Sequence, residues 1–479
     1  MSYDVCIAGG GPCGAALALR LARLGHSVIV YERSAFDAPR AGESLTPGVL
    51  PLFEVLGIAD EVARAGFMSV RRSLIRWSDD PHPASGHPLP QAEEGVRDGV
   101  AAEHPLPQAG EGVRESPLPL AGEGARRAGE GAPSRTTTET IAHDSLIVDR
   151  PRFDALLLRL AADAGADVRQ PCTMPPLDEI DARFVVDASG RAGWSHATRT
   201  RTGPATVAIA THVESAIGES RVEALEDGWL WGAPLPGGIF SVMAFVDART
   251  PADATRLRSM LDASELFREL PIGKIRHLDA TTYAAESIAG GRLLRIGEAS
   301  CCIDPLSSSG VQVALQSAIH AAAALHTMLV DPSRTTLAIR FLEDAQRATV
   351  RQHAEWSARQ YAESRWRDAP FWTKRRGAAT DDAAPNWTDG AVAIAPEVRI
   401  GEVPCLAGDL IEPRVGITPA DGARPFVWLG GHELAPLLAP LADGPRSFAQ
   451  LAESWSGVAS AQRGPLFQWL LRNHVLIPT

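Results

Sequence analysis

Val5-Cys6-Ile7-Ala8-Gly9-Gly10-Gly11-Pro12-Cys13-Gly14, near the start of the chain, is the stretch whose reading decides the fold. A short apolar run rises into GxGxxG, the amphipathic segment 15–24 follows, and Gly25 leads into a second β-branched run, Val28–Tyr31. That is the pattern of a βαβ unit opening a parallel sheet. Gly9, Gly11 and Gly14 permit a tight turn, close approach of backbone to a pyrophosphate, and close packing of helix on strand. Glu32, at the end of the second strand, is placed to accept from ribose hydroxyls, with Arg33 beside it. The stretch therefore predicts a Rossmann-like dinucleotide site at the N-terminus of the first helix.

The rest of the composition is that of an ordinary globular protein of two or three domains: 479 residues, 45% hydrophobic and 22% charged. A net charge of −12 argues against nucleic acid or an anionic membrane surface as the main partner. The six cysteines are scattered, without CxxC or zinc spacing, so no metal is expected. The opening Met-Ser-Tyr-Asp lacks a basic region, Val5–Ala8 is too short for a signal-peptide core, and the apolar run at 318–330 is broken by His320 and His326. A cytoplasmic protein with no membrane span is expected, of unknown oligomeric state.

After Trp77 the composition collapses into Pro, Gly, Glu, Ala and Arg. Within it Pro88-Leu-Pro-Gln-Ala-Glu-Glu-Gly-Val-Arg97 returns as Pro105-Leu-Pro-Gln-Ala-Gly-Glu-Gly-Val-Arg114. Such a segment buries too little apolar area to offset its ordering entropy, which predicts a disordered loop, either a tolerated insertion or a peptide-binding element. Order resumes at Ser145-Leu-Ile-Val148, a strand before a helix that Pro151 starts well. A strand over 184–186, an alternating antiparallel stretch over 206–245, and a long helix after Gly310 follow.

Two further segments resemble the p-hydroxybenzoate-hydroxylase type of flavoprotein. They are Val186-Asp187-Ala-Ser-Gly190-Arg191 and Arg295-Ile-Gly297-Glu298-Ala-Ser-Cys-Cys-Ile-Asp304-Pro305. The resemblance implies FAD, with the carboxylate of the second segment on the ribityl chain. The family's usual Asp is Glu298 here. Gly42-Glu43-Ser44-Leu45-Thr46-Pro47, Asp304-Pro-Leu-Ser-Ser-Ser309-Gly310 and Trp229-Leu-Trp231-Gly-Ala-Pro234 narrow the likeness to the tryptophan-halogenase branch. The implied FAD contacts are Gly9, Gly11, Gly14, Glu32, Arg33, Glu43, Ser44, Arg150, Asp187, Gly297, Glu298, Pro305, Ser309 and Gly310.

Halogenases of this branch carry hypohalous acid on a lysine placed shortly after the Gly-Glu-Ser-Leu segment. Here that region reads Met68-Ser-Val-Arg-Arg-Ser-Leu-Ile-Arg-Trp77, and the only lysines of the chain are Lys274 and Lys374. An arginine stays protonated and is a poor nucleophile, so it does not replace that lysine. The chain is most similar to the halogenase-like flavoproteins that hydroxylate a protein-borne tryptophan in tryptophylquinone maturation, through a flavin C4a-hydroperoxide formed with O2. NADH, NADPH or a separate flavin reductase is the expected electron source. The residues 426–479 resemble the winged-helix peptide-binding domains of modified-peptide biosynthesis, although their spacing also fits any small helical domain.

The expected architecture is α/β: a Rossmann-like FAD-binding domain interleaved with an antiparallel-sheet substrate domain, plus a small C-terminal winged-helix-like domain. By residue number, the FAD-binding parts are 1–78, 136–200 and 281–345. The insertion is 79–135, the substrate sheet 201–280, a helical substrate-side segment 346–384, and the peptide-recognition domain 385–479. His143, His212 and Asp304 are the acid–base candidates, a hydrogen-bonded structural imidazole being the alternative for each histidine. Trp229, Trp231, Tyr361 and Trp372 are the substrate-side candidates, with core packing as their alternative. The resulting expectation is a monooxygenase acting on an aromatic residue, tryptophan in the first instance, of a peptide or protein bound by the C-terminal domain. The rivals are a halogenase or hydroxylase of a free small aromatic, and a flavin-bound peptide chaperone.

Overall fold

A computed structural model describes residues 2–38, 40, 42–78, 138–377, 390–419 and 424–479, without the side chains of 142–144. The repeat insertion lies outside the described residues.

The chain begins with β1 (Tyr3–Ala8), α1 (Pro12–Arg23) and β2 (Val28–Tyr31), the βαβ unit its periodicity predicts. Next come β3 (Ser44–Leu45), α2 (Leu50–Val55), α3 (Ala59–Arg64), β4 (Met68–Arg76), β5 (Glu139–Ile147) and α4 (Arg150–Asp163). Strands β6 (Asp167–Arg169), β7 (Ala182–Asp187) and β8 (Arg199–Arg201) lead to the ladder β9 (Thr206–Glu214), β10 (Ser220–Leu225), β11 (Gly228–Leu235) and β12 (Ile239–Asp247). Then follow α5 (Ala254–Ala263), β13 (Arg276–Asp279), β14 (Tyr283–Ala285), β15 (Ala289–Gly290), β16 (Leu293–Arg295) and β17 (Cys301–Cys302). Two long helices, α6 (Gly310–Val330) and α7 (Thr335–Glu363), close this part of the chain.

The first sheet has six strands in the order β15-β16-β7-β1-β2-β6, parallel except for its β15 edge. Strands such as Val-Ile-Val-Tyr are apolar throughout because helices cover the sheet, as parallel sheets require. α1 packs against α4 and α6, and their facing Ala and Leu side chains form the main core. By length and composition α6 could cross a membrane, but most of it is buried in that core.

The second sheet corrects the expected boundaries. It has eight strands, ordered β13-β9-β12-β11-β10-β4-β5-β3, and it is mixed, because β4 runs parallel to β10. Strands β3, β4 and β5, expected within the FAD-binding parts, belong to it. The reason is local: β4 and β5 flank the insertion and pair antiparallel, Met68 opposite Ile147 and Ile75 opposite Glu139. The sheet also curls. Trp231 and Leu235 of β11 pack on the Val70, Ile147 and Ala233 group, bringing strands from different parts of the order together.

Helix α7 runs unbroken through the expected boundary at 345/346. The C-terminal part divides differently too. A hairpin of β19 (Arg399–Ala407) and β20 (Leu410–Thr418), preceded by β18 (Ala391–Ile394), docks on α6: the Ile411 N–H donates to Thr327 Oγ1 at 2.7 Å, and Arg20 pairs with Asp409. Beyond it, Leu434–Leu438, Phe448–Ser454 and Ser460–Arg472 are helices around a core of Leu434, Leu438, Trp455, Phe467 and Leu470. Leu476–Pro478 and Arg446–Ser447 flank β18 in a three-stranded sheet.

Candidate functional site

The three glycines of the first turn have three distinct surroundings. Gly9 has φ +101°, and a Cβ there would lie 2.6 Å from the Ala188 carbonyl oxygen. Gly14 faces the backbone of Gly9. Gly11, by contrast, opens onto empty space, with nothing within 4 Å of its Cβ direction, at the N-terminus of α1. An anion fits that opening, where the free N–H groups and helix dipole converge.

Glu32 is buried, and its carboxylate accepts from the Gly10 N–H at 2.7 Å and the Ser34 N–H at 2.7 Å. It therefore braces the turn as well as facing the nucleotide side. Arg33 is exposed. Arg150 makes two hydrogen bonds to the fully buried Asp154, at 3.0 and 3.2 Å, and Arg40 reaches the same carboxylate at 3.3 Å. A Cβ on Gly42 would lie 2.6 Å from Arg150 Nη1, so the Gly-Glu-Ser-Leu segment passes directly over that guanidinium. Ser44, in β3, pairs with Ile147.

Asp187 corrects an expectation. Its buried carboxylate accepts from the Ser189 N–H and hydroxyl at 3.0 and 2.6 Å, and from the Ser195 N–H and hydroxyl at 2.8 and 2.6 Å. With its oxygens so engaged, it shapes the loop after β7 rather than presenting itself to a cofactor. Gly297, at φ +56°, has Cys13 Sγ 2.9 Å from its Cβ direction, so no larger residue fits. Glu298 next to it is exposed, and its carboxylate comes within 3.7 Å of the Cβ direction of Gly190. The Tyr283 hydroxyl donates to the Glu298 carbonyl at 2.7 Å, holding this turn. Pro305 opens a single 3-10 turn, Ser309 is the buried N-cap of α6, and Gly310 starts that helix on the surface with open space at its Cβ direction.

FAD fits these features: a pyrophosphate at Gly11, ribityl hydroxyls at the open Glu298 carboxylate, and an electron-rich ring edge at the N-terminus of α6. Each opening is one that a larger residue would fill or whose polar group has room for a partner.

The substrate-side candidates divide. Trp229, Tyr361 and Trp372 are each no more than 2% exposed and pack with Trp77, Phe245 and Phe371. Trp229 stacks on Phe245 at 3.8 Å between centroids, and the Trp372 indole donates to the Leu225 carbonyl at 2.9 Å. These three are wall, not a surface open to substrate; Trp231 alone among the four is partly exposed. Tyr361 ties the wall to the flavin-side loop, its hydroxyl lying 3.1 Å from both oxygens of Asp304. Burial pushes the Asp304 carboxyl up, and burial with the Asp304 charge holds the Tyr361 hydroxyl well above its ordinary range. Tyr361 thus stays a donor. Tyr361→Phe is expected to cost about 2 kcal/mol, the worth of one hydrogen bond to a charged group, read as a lowered thermal midpoint with FAD still bound.

His212 of β9 lies 3.6 Å from Glu43 Oε1 and 3.4 Å from Arg276 Nη2. Sequence reasoning missed this meeting of His212 and Glu43, which the curl of the sheet creates. His143 sits in β5 where the pairing with β4 is irregular, and its side chain lies outside the described residues. Among the described residues no group of three His, Cys, Asp or Glu is placed to hold a metal ion.

Comparisons with known proteins agree with this construction. The chain is 24% identical to a tryptophan 2-halogenase of Chondromyces crocatus, over 78% of this chain and 71% of that one. It is 26% identical to a 1H-pyrrole-2-carbonyl-[peptidyl-carrier protein] chlorinase of Pseudomonas fluorescens, over 66% and 74%. Among solved structures, the flavin-dependent halogenase CmlS shares the fold with a TM-score of 0.74 at 19% identity, covering 99% of this chain and 96% of that one. The peptidyl tryptophan dihydroxylase QhpG, essential for tryptophylquinone cofactor biogenesis, shares it with a TM-score of 0.68 at 24% identity, covering 99% of both. The family model for tryptophan halogenase matches residues 4–389, and the chain belongs to this family of flavin-dependent oxidoreductases.

Proposed function

We propose that this protein is an FAD-dependent monooxygenase that hydroxylates an aromatic residue, tryptophan first among the candidates, on a peptide or protein. The observation that carries the reading is the missing lysine. In β4 the inward Val70 packs with Ile147 and Ala233, while Arg71 and Arg72 point outward and are exposed. Lys274 is exposed, and Lys374 is held at the surface by Asp247 at 2.7 Å. Neither lysine lies in β4, the strand that follows the Gly-Glu-Ser-Leu segment.

Bound FAD, reduced by NADH, NADPH or a separate reductase, supplies activation of O2. The protein's own residues bind and orient. The aromatic wall keeps water from one side, Asp304 and Tyr361 fix the loop leading into α6, and Arg150 and Glu32 hold the nucleotide end. Exclusion of water protects a reactive oxidant long enough for transfer to a ring. The C-terminal domain is the proposed peptide-binding element, its three-stranded sheet offering edges to which an extended peptide can add. That likeness to QhpG extends over the whole chain supports this part of the reading. A reducing, cytoplasmic setting belongs to the same proposal, and the six cysteines are free thiols.

A second reading, halogenation of a small or carrier-bound aromatic, is favoured by the names of the curated relatives. One experiment separates the two. FAD-loaded protein is supplied with a reductase, O2 and tryptophan-bearing peptides encoded beside its gene, with and without chloride or bromide. A mass gain of one or more oxygen atoms on a peptide, independent of halide, is the expected result. A halide-dependent product, with halogen incorporated, would establish the second reading instead.

A further inference from the structure

Glu43 is buried at 3% exposure, yet neither of its carboxyl oxygens has a hydrogen-bond partner among the described residues. Buried carboxylates in native proteins are almost always paired, because an uncompensated one is costly to desolvate. The nearest group, His212 Nε2 at 3.6 Å, is beyond hydrogen-bond distance and is itself 3.4 Å from Arg276 Nη2. Neither contact satisfies the carboxylate lone pairs of Glu43.

A second unpaired group stands on the same face. Ser241 lies directly opposite His212 in the β9–β12 ladder, so the two side chains share one side of the sheet. The Ser241 hydroxyl is fully buried and has no hydrogen-bond partner among the described residues. Ala233, opposite Ser241 on β11, is small, and two residues along the same face is the partly exposed Trp231. This patch adjoins the cofactor end of α6. A Cβ on Gly42 would lie 3.9 Å from Val311, and Thr46 bonds Gln312 at 2.7 Å. Glu43 therefore stands between the first turn of α6 and the sheet face.

We infer that Glu43, flanked by His212 and Ser241, is the acceptor for a ring N–H of the aromatic group that is oxidised, the ring lying beside Trp231. The inference rests on the proposed oxygenase reading and gives its substrate an orientation. An ionised carboxylate only accepts and an indole N–H only donates, so the two are matched. A charged acceptor on that N–H also pushes electron density into the ring carbons, which favours attack by an electrophilic oxygen donor. An aromatic group without a ring N–H would leave the carboxylate unpaired and be discriminated against.

The test titrates FAD-loaded protein with N-acetyl-tryptophanamide and with its ring-N-methyl analogue, following heat of binding. The methylated compound is expected to bind about 10- to 100-fold more weakly, as loss of a hydrogen bond to a charged group implies. In Glu43→Gln that preference is expected to shrink, with the FAD content of the variant measured beside it. Ser241→Ala, which removes only a hydroxyl, is the second variant and is expected to shrink it less. Equal affinity of the two compounds, or no binding of either, would overturn the inference. So would a Glu43→Gln protein that loses FAD but keeps the preference, since the carboxylate would then serve the cofactor. If peptides gain oxygen and the preference is absent, only this inference fails. If the preference is present and no peptide gains oxygen, the oxygenase reading fails and the N–H site stands.

Discussion

Gly11→Val is expected to yield a folded protein that purifies without FAD. The backbone at Gly11 has φ −67° and an extended ψ, which valine adopts without strain. Nothing lies within 4 Å of the added Cβ, so the fold has no reason to object. The space it fills is the one a pyrophosphate needs at the N-terminus of α1. Displacing the anion from two charge-assisted N–H contacts costs about 3–6 kcal/mol, or roughly two to four orders of magnitude in affinity. The measurement is flavin absorbance of the purified variant beside its circular dichroism. A native spectrum with no flavin is the expected pair, and a yellow protein would place the pyrophosphate elsewhere. Gly14→Val is the instructive contrast. There the side chain would be driven into the Gly9 backbone, so loss of folding rather than clean loss of cofactor is expected.

That contrast shows what a sequence makes legible. GxGxxG after an apolar run announces a turn because only glycine tolerates it, and the requirement is local. The same holds for the turn at Gly297, where Cys13 leaves no room, and for the Pro-started helices. The mixed second sheet was not legible in that way. Its defining parallel contact sets Ser220 opposite Ser73, and nothing in either strand's own alternation names the other as partner. The meeting of Glu43 with His212 depends on the curl of that sheet, so it lay further still from local pattern. Asp187 was legible as a family mark but not in its role, because Ser195, eight residues on, was not recognised as taking half of its acceptor capacity. The aromatic residues misled for a related reason: Trp229, Tyr361 and Trp372 carry the same side chains whether they line a cavity or close one. One signal was present and unread. Gly408-Asp409 stands between two nine-residue strands as a two-residue hairpin turn, with Gly408 at φ +59°.

Acid is expected to unfold this protein through two buried histidines. His320 of α6 is 4% exposed, stacks edge-on against Phe341, and has no hydrogen-bond partner for Nε2 among the described residues. Burial, then the Arg424 charge, push its pKa down to about 3. His353 of α7 is pushed down to about 4 by burial. An unfolded histidine titrates near 6.5, so between that pH and the folded value the unfolded chain binds the extra proton. Stability from each depressed group is therefore fully present above about pH 6.5 and is lost as pH falls toward the folded value. Over that descent to pH 4 each histidine removes about 3 kcal/mol, enough to consume much of a typical folding free energy. Asp4, Asp247 and Asp279, whose pKa values are lowered, add to the loss only at lower pH. His320→Leu removes a buried imidazole that lacks a partner and keeps an apolar contact with Phe341. It is expected to match the parent near pH 7 and to exceed it by about 2 kcal/mol at pH 5. Thermal midpoints of both proteins, measured with FAD bound from pH 7 to pH 4.5, check this directly. Parallel curves would mean that His320 takes up its proton within the folded protein, where its ring would need an acceptor that the packing of α6 against α7 does not supply.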